Sequence, residues 1–397
     1  MSINSTEPER ILADKLSQRK LWAKLFNFRA AQTQAAMGLE YSSAMPYWLT
    51  IDPTSVCQLQ CPFCPTGQRR GVRPNVMMDM GLFRSVIKQL GPYLLHTDLM
   101  NWGEPLLHPD IFEMIALIKS HRVETLLSSN MNHLPEGGAE KLVLSGLDLL
   151  TVSIDGATQE NYSKYRVGGI FATAVENTAR IARAKLKLGR CNPKISWQFL
   201  VFKHNEHEIE AARAMAAEIG ANEIGFTAPN LPFKPGIKDE WMSTLPQYAL
   251  YDPENFPERP PWEWDQVTDQ AGKPADVNVD VYAGSKQRRP CLWPWTAIAI
   301  NPDGSVSPCC SVEERIHDFG SLAEHSFQEI WNNEQYRAAR RHIAAFARGE
   351  KNSLPASQHA CERCFSIGRS DFRLPHWWET DRLDSYPDPL APHKDCK

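Results

Sequence analysis

The chain has 397 residues, 42% of them hydrophobic and 23% charged, with a formal net charge of −4. That length suits about two or three domains with a sizeable buried core, the composition is that of a soluble globular protein, and the mild acidity argues against a nucleic-acid partner. Met1 to Arg10 is polar and lacks the apolar core of a signal peptide, and no run approaches the ~20 apolar residues of a membrane span, so a cytoplasmic protein without a membrane partner is expected, whose 10 cysteines read as metal ligands rather than disulfides.

Residues 8–37 carry Ile11, Leu12, Leu16, Trp22, Leu25 and Phe26 at roughly helical spacing before Gly38. They predict a helix docked on the main body, within an N-terminal extension covering residues 1–45. From 46 to 228 the pattern alternates. Strands are expected at Trp48–Ile51, Asp98–Asn101, Glu124–Ser128, Leu149–Ile154, Ile195–Phe202 and Glu223–Phe226. Helices are expected between them, at Gly81–Leu90, Pro109–Ser120, Gly138–Ser145, Ile170–Leu188 and Glu206–Ile219. Such β/α repetition predicts an α/β fold with a parallel sheet and right-handed crossovers. Asn205 followed by Glu208 reads as a helix N-cap with a capping-box acid. His204 and His207, beside it, read as a solvated helix entrance, and Cys191 as an ordinary loop thiol. Over 229–290 periodicity gives way to Pro-rich and Trp-rich pieces, expected to bridge and cover the site. Residues 291–397 form a second cysteine-bearing module and tail.

The first strand runs into Cys57-Gln58-Leu59-Gln60-Cys61-Pro62-Phe63-Cys64. Three thiolates on one curled loop can hold an iron–sulfur cluster and leave one iron without a protein ligand, an open position of the kind catalytic metals use. A zinc loop is the competing reading. Strand two ends in Asn101-Trp102-Gly103-Glu104-Pro105, where Gly103 admits close backbone approach and Glu104 can accept from an ammonium group. Strands three and four end in Ser128-Ser129-Asn130 and Ser153-Ile154-Asp155, short polar residues that bind hydroxyls or cap turns. Downstream, Asn301-Pro302-Asp303-Gly304 reads as a turn between Thr296–Ile300 and Ser305–Ser307, a hairpin flanked by Cys291 and Cys309. Cys361-Glu362-Arg363-Cys364 follows. Two cysteine pairs also suit a zinc ribbon.

The CxxxCxxC loop with Phe63 before its last cysteine resembles the radical S-adenosylmethionine (SAM) enzymes. The resemblance implies a partial (β/α)6 TIM-like barrel followed by a small α+β iron–sulfur domain, with chemistry at the C-terminal ends of the strands. It implies that Cys57, Cys61 and Cys64 hold a four-iron four-sulfur cluster chelating SAM, which one electron cleaves to methionine and a 5′-deoxyadenosyl radical. Trp102-Gly103-Glu104-Pro105 looks like the family's GGEP motif with its first glycine replaced. By the same resemblance Phe63, Gly103, Glu104, Ser129, Asn130, Ser153 and Arg166 contact the cofactor, and Asp155 shapes a turn. The C-x12-G-x4-C spacing followed by CxxC resembles the SPASM/twitch module, implying an auxiliary four-iron four-sulfur cluster on Cys291, Cys309, Cys361 and Cys364, with Cys309 preferred over Cys310. No cysteine lies between Cys364 and Cys396, so one fully ligated auxiliary cluster is expected, carrying electrons. A flavodoxin- or ferredoxin-type reductant is the implied partner. The expected reaction is two-electron oxidation of a small hydroxylated metabolite. Modification of a ribosomally made peptide, radical elimination or decarboxylation, and a non-enzymatic zinc scaffold are the alternatives. Among Asp239, Glu240, Tyr248, Glu263 and Asp265 the sequence selects no substrate base.

Overall fold

The computed structural model describes residues 7–71, 73–232, 234–249, 291–348, 350 and 360–363. The element order is α1 (Glu7–Ala36), β1 (Trp48–Ile51), α2 (Met80–Leu90), β2 (His96–Leu99), α3 (Ile111–Lys119), β3 (Glu124–Ser129), α4 (Gly138–Leu144), β4 (Leu149–Ser153), α5 (Gln159–Tyr165), α6 (Phe171–Leu188), β5 (Lys194–Leu200), α7 (Ile209–Glu218), β6 (Glu223–Thr227), α8 (Ile237–Trp241), α9 (Trp293–Thr296), β7 (Ala297–Ile300), β8 (Ser305–Ser307), β9 (Gly320–Ser321), α10 (Phe327–Trp331) and α11 (Glu334–Ala347). Among the described residues the sheet runs β6-β5-β4-β3-β2-β1-β7-β8-β9. Strands β1 to β6 are parallel in chain order, as the alternating pattern predicts.

The helices lie on this sheet because their apolar residues recur at helical spacing. Phe83, Val86, Ile87 and Leu90 of α2 are buried, as are Ile111, Met114, Ile115 and Ile118 of α3. They join Leu49, Ile51, Leu99, Leu127, Leu150 and Trp197 in one core. The Asp79 side chain caps α2 by accepting from the Leu82 N–H at 3.0 Å.

The second module continues the barrel sheet. β7 pairs parallel with β1, with Thr50 opposite Ala299 and Ile51 opposite Ile300, and β8 returns antiparallel as the expected hairpin. The C-terminal end of β1, where the cysteine loop begins, therefore lies beside the end of β7 and the turn of that hairpin. Arg340, fully buried, bonds the carbonyls of Pro294, Glu40 and Trp331. It ties α11 to α9 and to the segment leading into β1. α1 docks through Phe28 and Ala31 on Tyr47 and Leu95, while Trp22 and Phe26 face outward side by side.

Several expectations shift. Asn205 does not cap α7: its Oδ1 accepts from the Phe202 N–H and its Nδ2 donates to the Asp155 and Leu200 carbonyls. Glu208 likewise reaches the loop after β4, binding Ala157 N–H and the Thr158 hydroxyl. Both groups secure a strand end instead of starting a helix. Cys191 is disulfide-bonded, not a free loop thiol. Helices α5 and α8 occupy stretches without a helical expectation. Glu263 and Asp265 of the bridging segment lie outside the described residues.

At the start of β2, His96 lies between Asp98 and Glu124, 2.8 Å from each. Burial alone would lower its pKa, but the two carboxylates outweigh burial and raise it to about 9. A cation favoured in the folded state stabilises it fully below the unfolded pKa of about 6.5, and that contribution is lost as pH rises through about 9. Urea titrations between these pH values are expected to show a loss of about 3 kcal/mol that His96→Gln does not show.

Candidate functional site

The cysteine loop leaves β1 and folds onto the ends of its neighbours. Gly103 is why it can lie so close. A Cβ built there would stand 1.7 Å from the Thr54 carbonyl oxygen and 3.2 Å from that of Val56. The backbone that Gly103 admits is the cysteine loop itself, and the Glu104 N–H donates to Val56 O at 2.9 Å. Gly67, which the sequence did not single out, does the same from the other side: its Cβ would meet Cys61 N at 2.5 Å.

The three thiols share an apolar shell with Leu59, Tyr165, Phe202, Leu231 and Met242. Phe63 belongs to it, its ring 4.8 Å from Trp241 and 5.7 Å from Tyr165. His204 joins this shell, contrary to the solvated reading: it stacks on Phe202 at 5.3 Å, and burial lowers its pKa to about 4. The sulfurs of Cys57 and Cys61 retain polar neighbours. The Leu59 N–H and the Asn130 amide approach Cys57 Sγ at 3.4 and 3.7 Å, and Arg166 Nη1 approaches Cys61 Sγ at 3.9 Å. Without a metal, burial pushes the Cys57 thiol up to about 12 and Cys61 in the same direction. Thiolates in such a pocket need a cation, which iron would supply. Among the described residues no three His, Cys, Asp or Glu could hold a single metal ion; a four-iron cluster spreads its thiolates over separate irons.

The expected cofactor contacts gather around this loop. Glu104 is buried at the end of β2, accepting from Leu106 N at 3.1 Å and from Asn130 N at 2.8 Å. Burial raises it to about 7 against those donors. Asn130 also accepts from Gln58 Nε2 at 3.0 Å, while Ser129 Oγ accepts from Met131 N at 2.9 Å. Ser153 Oγ lies 3.3 Å from Ser128 Oγ across adjacent strand ends.

Arg166 forms a buried ion pair, its Nε 2.6 Å from Asp155 Oδ2, with Asp155 fully enclosed. Asp155 is thus more than a turn residue: it holds the cation at Cys61. Burial pushes Asp155 upward and Arg166 opposes the shift. Arg166→Leu leaves a buried carboxylate unpaired, with an expected loss of about 3–5 kcal/mol in urea titrations. It also removes a positive charge beside the sulfur, so the midpoint potential of the loaded cluster, followed by electron paramagnetic resonance, is expected to fall. Unchanged stability and potential together would refute this placement.

The auxiliary cysteines are placed in part. Cys291 packs with Trp295, Ile343 and Ala35. Cys309 and Cys361 both lie within electrostatic reach of Tyr336, whose buried hydroxyl has no partner. Cys310 instead couples to Asp98, and its carbonyl accepts from the correctly oriented Asn101 amide. An orphaned hydroxyl beside two thiols fits a sulfide-rich group there. Cys364 lies outside the described residues.

Between the cysteine loop and the hairpin is a cavity of about 370 Å³ whose walls include Asp52, Cys57, Arg73, Trp102 and Asn301. Asp52 and Arg73 carried no sequence signal; only the meeting of β1 with β7 and β8 brings them together.

A model of the radical SAM superfamily matches residues 51–216, and a model of the SPASM iron–sulfur cluster-binding domain matches residues 291–365. The chain belongs to the radical SAM superfamily. It is similar to the PqqA peptide cyclase of Gluconobacter oxydans (strain 621H), 25% identical over 294 residues, 72% of this chain and 76% of that protein. The mycofactocin maturase MftC of Mycobacterium ulcerans (strain Agy99) is 28% identical over 54% of this chain and 56% of its own. The AdoMet-dependent heme synthase of Methanosarcina barkeri (strain Fusaro / DSM 804) is 24% identical over 72% and 82%. Among solved structures, Streptococcus suis SuiB superposes with a TM-score of 0.55 at 12% identity, covering 86% of this chain and 75% of that one. Histidine-tagged anSMEcpe with bound AdoMet gives 0.52 at 16%, covering 82% and 85%. SuiB bound to precursor peptide SuiA gives 0.52 at 13%, covering 79% and 70%. These structural likenesses establish the shared fold. As a radical SAM enzyme with a SPASM domain, the protein uses SAM and iron–sulfur clusters. Its fold is the α/β barrel followed by the iron–sulfur module expected from the sequence. No helix among the described residues is long and apolar enough to cross a membrane.

Proposed function

We propose that Cys57, Cys61 and Cys64 hold the SAM-binding cluster, that Cys291, Cys309, Cys361 and Cys364 hold an auxiliary one, and that the enzyme oxidises a small hydroxylated molecule by two electrons. When bound, SAM and its cluster supply a carbon radical able to take hydrogen from an unactivated C–H bond. The protein's own residues bind, orient and exclude water. Phe63, Tyr165, Phe202 and Trp241 keep the cluster side dry. Arg166, held by Asp155, fixes a positive charge at Cys61. Glu104, with Gly103, Ser129, Asn130 and Ser153, lines the strand ends where SAM is to lie. Tyr336 would donate its unpartnered hydroxyl to the auxiliary cluster, a hydrogen bond that tunes potential. A flavodoxin- or ferredoxin-type protein would supply the electron that starts the reaction.

The observation that carries the substrate class is the cavity walled by Cys57. Its volume is about 370 Å³ and polar residues dominate its lining, the small end of the roughly 300–1,000 Å³ of ligand pockets. A peptide is the second reading, favoured by the likeness to a PqqA peptide cyclase and a mycofactocin maturase. The reconstituted enzyme, reduced under anaerobic conditions with SAM, is to be offered polyols and aminocyclitols beside candidate precursor peptides. A small molecule lighter by two hydrogens supports the first reading. The same loss or a crosslink in a peptide, with every polyol untouched, overturns it. Release of water or carbon dioxide would mean elimination or decarboxylation instead.

A further inference from the structure

We infer that Arg340 is the counter-charge of the auxiliary iron–sulfur cluster and holds its reduction potential up; this rests on the auxiliary cluster proposed above. Arg340, on α11, is 0% exposed. Its Nε donates to Pro294 O at 2.9 Å, its Nη1 to Glu40 O and Asn332 Oδ1 at 3.0 and 2.8 Å, and its Nη2 to Trp331 O at 2.9 Å. The ring centres of Trp331 and Tyr336 stand 4.8 and 5.4 Å from its guanidinium carbon. All of these partners are neutral, and no carboxylate among the described residues pairs with it. The Glu40 carboxylate is turned to Arg341 instead, at 2.8 Å. Arg73, Lys119 and Arg166, by contrast, each meet an aspartate, Asp318, Asp148 and Asp155 in turn.

Tying α11 to its neighbours needs donors, not a net charge. Lys24 and Lys185 are also buried without a carboxylate, but burial lowers their pKa values to about 7 and 8, so they can shed charge. Arg340 cannot: burial lowers it only to about 10, and a guanidinium keeps its proton at neutral pH. A buried charge is costly unless an opposite charge answers it. Tyr336, Arg340 and Ile343 fall at i, i+4 and i+7, on one face of α11, and all three are buried. Tyr336, at one end, is within electrostatic reach of Cys309 and Cys361. Ile343, at the other, belongs to the apolar cluster against which Cys291 packs. Arg340 stands between them on the helix. A four-iron cluster on four thiolates is an anion, and more negative when reduced. A fixed cation in a low-dielectric interior favours the reduced form, which suits a cluster that accepts electrons.

The test uses the full chain with both clusters, titrated potentiometrically and followed by electron paramagnetic resonance. SAM perturbs the signal of its own cluster and so identifies the other. In Arg340→Gln the auxiliary midpoint is expected to become more negative. At a fixed potential the reduced-to-oxidised ratio should fall about tenfold, equivalent to about 59 mV for one electron. Arg340→Lys, which keeps a charge, should recover most of that shift. Where the glutamine variant fails to fold, Asn332→Asp serves. It keeps the oxygen that accepts from Arg340 Nη1 and from the Ser42 N–H and lays a carboxylate against the guanidinium, so the same fall is expected. The midpoint of the SAM-binding cluster should not move in any of the three. A merely structural Arg340 would change the unfolding midpoint and leave the potential where it was. An unmoved auxiliary midpoint at full iron content in Arg340→Gln, or in Asn332→Asp in its place, overturns the inference while the auxiliary cluster stands. If the wild type holds only the SAM-binding cluster, the auxiliary cluster itself fails, and the inference with it.

Discussion

Cys61→Ala is expected to abolish formation of methionine and 5′-deoxyadenosine while part of the iron remains bound. Cys61 is buried in the apolar shell of the loop and takes its nearest cation from Arg166, 3.9 Å away. Removing it leaves two thiolates for four irons, and the loop holds no fourth cysteine to replace it. Both products should fall to background, at least about a thousandfold, equivalent to roughly 4 kcal/mol on the barrier. Cys291, Cys309 and Cys361 stand beside α9, after the hairpin and on the segment after α11, so an auxiliary cluster should survive. Absorbance near ~400 nm, typical of thiolate-ligated iron–sulfur clusters, would then fall without disappearing. Product formation at the unmutated rate would remove the proposed role of the loop.

Gly103→Ala is expected to do nearly as much harm without touching a ligand. The added methyl would lie 1.7 Å from Thr54 O, far inside any tolerated contact, and the atom it meets is backbone. Either the end of β2 or the start of the cysteine loop must move by more than an ångström-scale adjustment of side chains can absorb. Overpacking of this kind costs on the order of 3 kcal/mol or more. It also breaks the Glu104 N–H bond to Val56 O, which sets the height of Cys57. The expected readouts are a lower thermal midpoint of the metal-free protein and a lower iron content after anaerobic reconstitution. Wild-type values for both would mean that the loop accommodates the methyl and that Gly103 serves the ligand instead.

The two variants separate two parts of the sequence signal. The cysteines mark themselves as candidate metal ligands by type and spacing, and the family resemblance selects an iron–sulfur cluster over zinc. Gly103 announces only that something comes close. The sequence suggested a ligand; the packed chain shows that the closest approach is to its own cysteine loop. Trp102, standing where the related motif has glycine, is used in the same economy. Its N–H helps fix Asp52, and its side of the strand end becomes cavity wall.

The strands were legible because buried parallel strands are short apolar runs between amphipathic helices. Their ends were less so. β2 covers His96–Leu99 rather than Asp98–Asn101, because its length is set by pairing with Trp48 to Thr50 on one side and Glu124 to Leu127 on the other. Asn205 and Glu208 carry the local signature of a helix start, yet long-range partners at Asp155, Ala157 and Thr158 take their side chains. His204 looked solvated because its neighbours in sequence are charged, whereas its neighbours in space are Phe202 and Trp241.

The sequence by itself determined the repeating β/α architecture, since periodicity is a local property that survives without knowledge of contacts, and its cysteine loop carried the resemblance that pointed to the superfamily. Tertiary structure alone decided that β7 pairs beside β1, that Asp155 holds Arg166 at the loop, and that Asp52 and Arg73 belong to the lining of one cavity. Arg73 and the Asp318 that holds it are 245 residues apart in the chain. Charge pairs and orphaned polar atoms have no period, so only the closing of the sheet makes them neighbours.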